Sequence, residues 1–426
     1  MSGAAAIDSH QPYAVLKLRN FRLYLLARMC MTVAIQMQAV IVGWQIYSFT
    51  HDAFSLGLIG LAEAIPFIIT SLFAGHVADI IPRKKVITSF MLLLMLCSGS
   101  LFLFSLNADG LLSRFNTAPI FAVIFLIGIT RGFLTPAITA FFAQIISKDK
   151  YASGITWNSN VWQFASVAGP AIGGLIYGFA GITVAYGAVC LFLIFSFTCF
   201  LLIPSVPLPP YDASETLYAR LTAGIRFVFN NQVVLGALSL DLFAVLFGGA
   251  VAMLPVFAAD ILKVGPEGLG ALRAAPFAGS VIIGLFAAHR PPMKHAGTNL
   301  MLCITGFGVC TILFALSTNF YLSLFLLLLT GAFDNISVIV RSTILQLTTP
   351  DHMRGRVSAV NNIFIGSSNE IGAFESGTAA RLLGLIPSVI FGGVMTIGIV
   401  VFTAWWAPVL RRLNLRQIQA QLSGDV

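Results

Sequence analysis

Charge is what this sequence has least of. Lys, Arg, Asp and Glu make up 9% of its 426 residues, against about a quarter in an ordinary soluble domain, which excludes a water-soluble globular protein. The motifs of nucleotide and hydrolytic chemistry are missing as well. There is no G-x-x-x-x-G-K-[ST] to cradle phosphates, no G-x-S-x-G and no H-E-x-x-H, and the six histidines (His10, His51, His76, His289, His295 and His352) are scattered. Direct ATP drive and the commonest hydrolase classes therefore drop out. The six cysteines all fall inside apolar runs, without a C-x-x-C or a Cys/His cluster, so they read as packing residues and no metal is expected. The net charge of +8 comes from Lys and Arg dispersed among short loops, which points to membrane topology and away from nucleic acid. The first twenty residues lack a signal-peptide apolar core and cleavage site, so the N-terminus is expected to be retained, with the first span as insertion signal.

What is there instead is apolar length: 58% of the chain is hydrophobic. Runs of about 18–25 apolar residues, broken by charge, Pro or Gly, predict twelve spans at 27–48, 54–77, 86–106, 118–146, 155–178, 182–203, 233–258, 268–289, 298–317, 320–346, 357–380 and 386–407. Lys and Arg of short loops stay on the cytoplasmic side. On one face fall Lys17, Arg19, Arg22, Arg28, Arg83, Lys84, Lys85, Lys148, Lys150, Arg220, Arg226, Arg290, Lys294, Arg354, Arg356, Arg411, Arg412 and Arg416; on the other only Arg114, Lys263, Arg381 and, near an outer end, Arg273. Eighteen against four predicts both termini inside. The connection from Pro204 to Gln232 opens with PSVPLPP and continues with Leu217, Leu221, Ile225 and Val228 at helical spacing, an expected amphipathic surface helix.

That connection divides the chain into a first six-helix bundle (1–203), a linker (204–232), a second bundle (233–407) and a tail (408–426). A shift of 202 residues lays Gln144, Asp149, Ile155, Asn160, Trp162, Ser166 and Ala171 over Gln346, Asp351, Val357, Asn362, Phe364, Ser368 and Ala373. Two related six-helix halves with sites at their interface are a common plan of secondary transporters. The fold class expected is an all-α polytopic membrane protein of twelve transmembrane helices in two pseudo-symmetric halves.

Gly75 to Lys85, GHVADIIPRKK, joins an apolar helix end to a carboxylate and a cationic cluster. This stretch resembles the loop between spans 2 and 3 of the major facilitator superfamily, G-x-L-A-D-R-x-G-R-K/R-K/R. Gly75, Asp79, Arg83, Lys84 and Lys85 fit, while Ile80 and Pro82 depart from it. Arg131 in span 4 is similar to the family's buried Arg, and Ala168 to Gly174, AGPAIGG, resembles the core of the antiporter-type motif without its upstream glycines. The segments RGFLTPAITAFFAQII and WNSNVWQFASVAGPAIGG look most like the bacterial exporter branch that includes the enterobactin exporter and macrolide-efflux proteins. The resemblance implies rocking of the two halves, a small-molecule substrate, a bacterial inner-membrane location and a proton gradient in place of any cofactor; a monomer suffices mechanically. It also implies a conformational latch of Gly75, Asp79 and Arg83 against the start of span 11. Gly169, Pro170, Gly173 and Gly174 are expected to let helices approach closely and seal the path.

Intramembrane charges cost about 2.5–3.5 kcal/mol at mid-helix and are functional candidates. Here they are Glu63, Arg131, Asp241, Asp334, Arg341, Glu370 and Glu375, with Arg131 as the expected counter-charge, across the halves, of Asp241 or Asp334. Gln38, Gln45, Asn158, Asn160, Trp162 and Asn362 are candidates for a mixed polar and aromatic cavity, or for hydrogen bonds between neighbouring helices. A proton-coupled importer, a receptor without flux and a lipid-modifying enzyme stay open as alternatives. In the second half, Gly284 to Lys294 reads GLFAAHRPPMK, with Ala288 expected where Asp79 would fall.

Overall fold

The computed structural model describes residues 13–106, 116–207, 217–288, 295–350, 353–411 and 413. Twelve long helices and one linker helix carry the fold: α1 (Arg19–Thr50), α2 (Ala53–Ile80), α3 (Arg83–Leu106), α4 (Ala118–Ile145), α5 (Tyr151–Ala180), α6 (Ile182–Leu202), α7 (Leu217–Asn230), α8 (Gln232–Phe247), α9 (Pro266–Ala288), α10 (Ala296–Leu316), α11 (Phe320–Thr348), α12 (Arg354–Leu383) and α13 (Leu385–Trp406). Among the described residues, ten segments are long and apolar enough to cross a membrane. The other two long helices, α5 and α12, have 30 residues each and are the repeat-related pair rich in Asn, Ser and Gly. The count is consistent with twelve spans, and an even number of crossings returns the end of α13 to the face where α1 begins.

The helix starts give the repeat its register. α1, α2 and α3 begin at 19, 53 and 83, and α8, α9 and α10 at 232, 266 and 296, a constant offset of 213. α4, α5 and α6 begin at 118, 151 and 182, and α11, α12 and α13 at 320, 354 and 385, an offset of 202 to 203. The longer connection between α3 and α4 absorbs the difference. With an offset of 213, Ala288 corresponds to Gly75, and the counterpart of Asp79 is Pro292, outside the described residues. The expected pairing of Ala288 with Asp79 is therefore corrected, though the second half still has no carboxylate at that place. Backbone geometry repeats too: α5 turns into α6 at Gly181 (φ 85°) and α12 into α13 at Gly384 (φ 91°), a left-handed conformation that glycine adopts without strain.

Within the first half, α1 packs on α5 and α6, α3 on α4 and α6, and α2 on α4; within the second, α10 packs on α11 and α13, α9 on α11, and α8 on α12 and α13. The halves meet along α2 on α12 and α5 on α9. Side-chain caps start three helices, Asp52 accepting from the Phe54 N–H, Asn231 from Val233 and Val234, and Asn319 from Tyr321 and Leu322, which satisfies orphan donors at those ends.

Two expectations need revision. The seventh span is broken: α8 ends at Gly248 and continues as a 3₁₀ turn (Ala250–Met253), a short α turn (Leu254–Val256) and a π turn (Phe257–Ile261). The Gly248–Gly249 pair and Pro255 account for the break. In α7 the buried side chain is Val228, which packs with Val234, Leu238, Met353, Val357 and Val360. Ile225 is exposed, so the stripe that docks α7 on α8 and α12 is rotated from the expected one. The side chains of Leu217, Arg220, Leu221 and Arg354, with Arg114, Arg290, Lys294, Arg412 and Arg416, lie outside what is described.

Contacts between the halves concentrate at mid-height and toward the face opposite the termini. A Cβ added at Gly57 would lie 3.0 Å from the Gly377 Cα, and one at Gly174 2.7 Å from the Gly270 Cα. On the face of the termini, side chains lining the centre are exposed: Thr135, Thr139 and Ala143 on the stripe of α4 that continues Arg131, and Ile155, Ser159 and Trp162 on α5. The molecule is closed on the far side and open toward its termini.

Candidate functional site

Arg131 of α4 stands where the two halves meet. Its Nη1 is shared between Oε1 of Glu63 on α2, in the same half, and Oε1 of Glu370 on α12, 3.2 Å away in the other half. α4 carries Arg131 close to α2 because Gly128 and Gly132 face Glu63, Pro66 and Thr70 without a side chain between. Phe67 adds its ring under the guanidinium, 5.8 Å to the centroid, a cation–π contact. Arg273 of α9 lies close enough to interact electrostatically with both carboxylates, so two carboxylates face two guanidiniums along this seam. Side-chain exposures of 35% for Arg131, 17% for Glu63 and 20% for Glu370 keep this site in touch with the open centre.

The expected pairing of Arg131 with Asp241 or Asp334 is thus overturned. Asp241 of α8 is bound by Arg341 of α11, both nearly buried, inside the second half. Asp334 lies two helical turns from Arg341 on the same helix. Glu375 is half-buried, with the Ser376 hydroxyl 3.5 Å from its Oε2, and does not join either cluster.

Gln38 and Gln45 point away from the centre. The Ser98 hydroxyl donates to Gln38 Oε1 at 2.6 Å and the Tyr186 hydroxyl to Gln45 Oε1 at 2.6 Å, so these amides staple α1 to α3 and to α6. Seven-residue spacing put them on one face of α1 but could not say which. Asn160 and Asn362 are exposed, Asn158 is half-buried with an unbonded Oδ1, and Trp162, 41% exposed, sits edge-on to Phe277 of α9 at 6.2 Å. Of the cavity candidates, Trp162 reaches between the halves.

The glycines of α5 form two seams. Gly169 and Gly173 face α1, where added Cβ atoms would lie 2.9 Å from the Val33 carbonyl oxygen and the Met37 Cα. Gly174 and Gly178 face α9 of the other half, at Gly270 and Glu267, one turn beyond the kink-prone Pro170. At the termini face, Gly75 has open space around it and Asp79 is half-buried in the last turn of α2. Arg83 donates to the Ala140 carbonyl at 2.9 Å, and Lys84 to the carbonyls of Leu201 and Ile203 at 2.8 and 2.6 Å. Those cations therefore hold the ends of α4 and α6.

Sequence reasoning missed the far-side closure. Arg273, counted above as a charge near an outer end, reaches across the halves and donates to the Ala39 carbonyl of α1 at 2.8 Å. The Tyr47 hydroxyl donates to Asp260 on the π turn, and Arg381 of α12 lies over the Phe54 ring of α2, 4.9 Å to its centroid. Arg273 and Asp260 carried a signal, being charged residues next to apolar runs; the break in the seventh span, which brings Asp260 over Tyr47, was marked by Gly248–Gly249 and Pro255.

Residues 24–373 match the Major Facilitator Superfamily. The chain is 26% identical over 410 residues to the enterobactin exporter EntS of Escherichia coli strain 536, covering 95% of this chain and 96% of that one. Among solved structures it is similar to a POT family transporter in complex with 5-aminolevulinic acid (TM-score 0.71, 11% identity, 92% and 96% of the two chains). It is also similar to the nucleoside transporter NupG (TM-score 0.69, 13% identity, 92% and 99%); at such identities the likeness speaks for the fold alone. A family match over most of the chain, on a fold of two helical halves around a charged seam, makes this protein a transporter of the Major Facilitator Superfamily.

Proposed function

We propose that the protein is a proton-coupled exporter of the bacterial inner membrane, with both termini cytoplasmic, that moves a small hydrophobic, drug-like or siderophore-like molecule outward by alternating access. The observation that carries this reading is the sharing of Arg131 between Glu63 and Glu370 across the two halves. A proton on Glu370 removes the charged bond between the halves and leaves the Glu63–Arg131 pair intact, so proton arrival and far-side opening are one event. The near full-length similarity to the enterobactin exporter EntS supports outward transport and a siderophore-like cargo. Lys and Arg crowd the face of the termini, which supports a cytoplasmic position for it; the open centre then faces the cytoplasm, ready to load. Driving force comes from the proton gradient, without a cofactor, and a single chain contains both halves that move.

Inverted membrane vesicles test this. With an inside-acid gradient, vesicles holding the protein should accumulate enterobactin or an amphiphilic dye, and a protonophore should abolish the accumulation. No gradient-driven accumulation across a panel of catecholate siderophores and dyes would overturn the reading, and uptake driven by the opposite gradient would turn it into an importer.

A further inference from the structure

The halves meet along α2 on α12 and α5 on α9; away from that seam, α10 and α13 leave between them a groove of about 800 Å³ at the face of the termini. Below its mouth the lining is apolar: Leu302 of α10 and Val401 and Trp405 of α13 are 63%, 65% and 77% exposed. The mouth is cationic, with His295 at the start of α10 and Arg411 in the turn Pro408–Arg411 both on the rim and exposed. Among the described residues neither is paired with a carboxylate, and Lys294 and Arg412, next to them in sequence, are basic too. No side chain caps the start of α10, so its first-turn N–H groups and the helix dipole add positive potential there. The corresponding joint of the first half is closed differently. Lys84 of α3 donates to the Leu201 and Ile203 carbonyls at the end of α6. Offset by 213, Lys84 corresponds to Gly297, which faces the Leu410 carbonyl with no room for a Cβ. The second half thus packs this joint backbone to backbone and carries its cation on Arg411, at the open end of the groove.

We propose that this groove is a binding site for an acidic phospholipid, its phosphate held by Arg411, His295 and the first turn of α10, and one acyl chain laid along Leu302, Val401 and Trp405. Thr298 and Thr305, both on the lining, are two helical turns apart, roughly 10 Å, which is room for the upper part of an acyl chain. Trp405 stands where an indole prefers to lie, at the boundary of headgroups and hydrocarbon. A soluble anion would leave the apolar lining bare, and a zwitterionic lipid brings an ammonium group to a rim that is already cationic; an acidic phospholipid suits both parts. The lipid would tie the start of α10 to the end of α13, beside the Thr298 hydroxyl that donates to the Arg411 carbonyl at 3.1 Å, and would do for this half what Lys84 does for the other. Its place in the inner leaflet rests on the cytoplasmic position of the termini proposed above; the site itself does not.

No transport is measured in the test, so a failure of the exporter reading leaves its result intact. The full chain in nanodiscs of phosphatidylcholine receives a minor fraction of lipid with brominated acyl chains, either phosphatidylglycerol or phosphatidylcholine. Bromine quenches an indole that it touches, and the Trp405 emission is read as the difference between wild type and W405F. Brominated phosphatidylglycerol should reach half-quenching at a fraction lower by roughly fivefold or more than brominated phosphatidylcholine, fivefold being the effect of one basic side chain at an anionic lipid. R411Q, read against the same variant carrying W405F, should remove most of that difference; H295Q, on the opposite rim, serves where R411Q melts lower in pure phosphatidylcholine. Equal quenching by the two lipids, a preference that the variant retains in full, or reversal of the quenching by inorganic phosphate at constant ionic strength overturns the proposal.

Discussion

Replacing Glu370 by Gln isolates the charged bond that joins the halves. Gln keeps the size of the side chain and still offers Arg131 a carbonyl oxygen, so the change removes charge and little else. At 3.2 Å, two unit charges in an effective dielectric of 20 attract by roughly 5 kcal/mol. Arg131 is 35% exposed, so screening trims this, and a hydrogen bond to a charged group has a net value of about 1.5–3 kcal/mol. That amount moves the equilibrium between far-side closed and far-side open by on the order of 10- to 100-fold. Spin labels at Phe179 and Leu382, 84% and 77% exposed at the far ends of α5 and α12, report the separation of the halves by double electron–electron resonance. E370Q should populate the long distance at a pH where the wild type shows the short one, and acidification should move the wild type in the same direction while leaving E370Q flat. Gradient-driven transport by E370Q should be lost. An unchanged distance distribution with intact gradient-driven transport would refute the assignment of Glu370.

Gly270→Val places a side chain where a Cβ already lies 2.6 Å from the Pro170 carbonyl oxygen; the close approach of α5 and α9 should fail, with turnover down at least about tenfold and the Phe179–Leu382 label distance shifted to its long value. Gln45→Leu and Gln38→Leu leave the buried hydroxyls of Tyr186 and Ser98 unpaired and should each destabilise by about 1–3 kcal/mol, seen as a lower melting temperature with KM unchanged; a raised KM with an unchanged melt would return those amides to the substrate path. Asp79→Asn should slow turnover more than Arg290→Ala in the corresponding loop of the second half, and equal tolerance at both loops would leave Gly75 to Lys85 a topology signal.

The membrane fold was legible because length and apolarity in a bilayer leave few options: helices must satisfy their own backbone, and breaks at Pro, Gly and charge mark where they stop. Glu63, Arg131 and Glu370 could be picked out one at a time for the same reason, since charge inside an apolar run stands out. Their grouping could not. Whether Arg131 meets Glu370 or Asp334 depends on the rotation of α4, α11 and α12 about their axes, and with Gly and Asn scattered around α5 and α12 no hydrophobic stripe fixes that rotation. The staples of Gln38 and Gln45 were hidden for a related cause: α1 is buried on nearly all sides, so its polar residues have no solvent face to reveal their direction. A single 202-residue shift missed the second offset of 213 because the first three helices of each half share little side-chain chemistry.

The repeat is one of backbone, and the charges break it. Offset by 202, Arg131 corresponds to Phe333 and Asp334 to Gly132; offset by 213, Glu63 corresponds to Pro276. The first half has Arg131 deep in its helices, and the second has Arg341 and, reaching across to α1, Arg273. The first half turns Arg131 outward to the seam, and the second turns Arg341 inward onto Asp241. The two closed states of the cycle are then held by different physics. Far-side closure rests on backbone contact at Gly57–Gly377 and Gly174–Gly270, on the Arg131 network and on Tyr47–Asp260, contacts that are buried or half-buried and little screened by salt. The face of the termini offers Asp79, Arg83 and their neighbouring loop charges, close to water, where a Debye length of about 8 Å at physiological ionic strength weakens them. A protein with this division closes its far side firmly at rest. Under the proposed coupling, neutralising a buried negative charge would open that side, which would tie release of cargo to an ion arriving from outside.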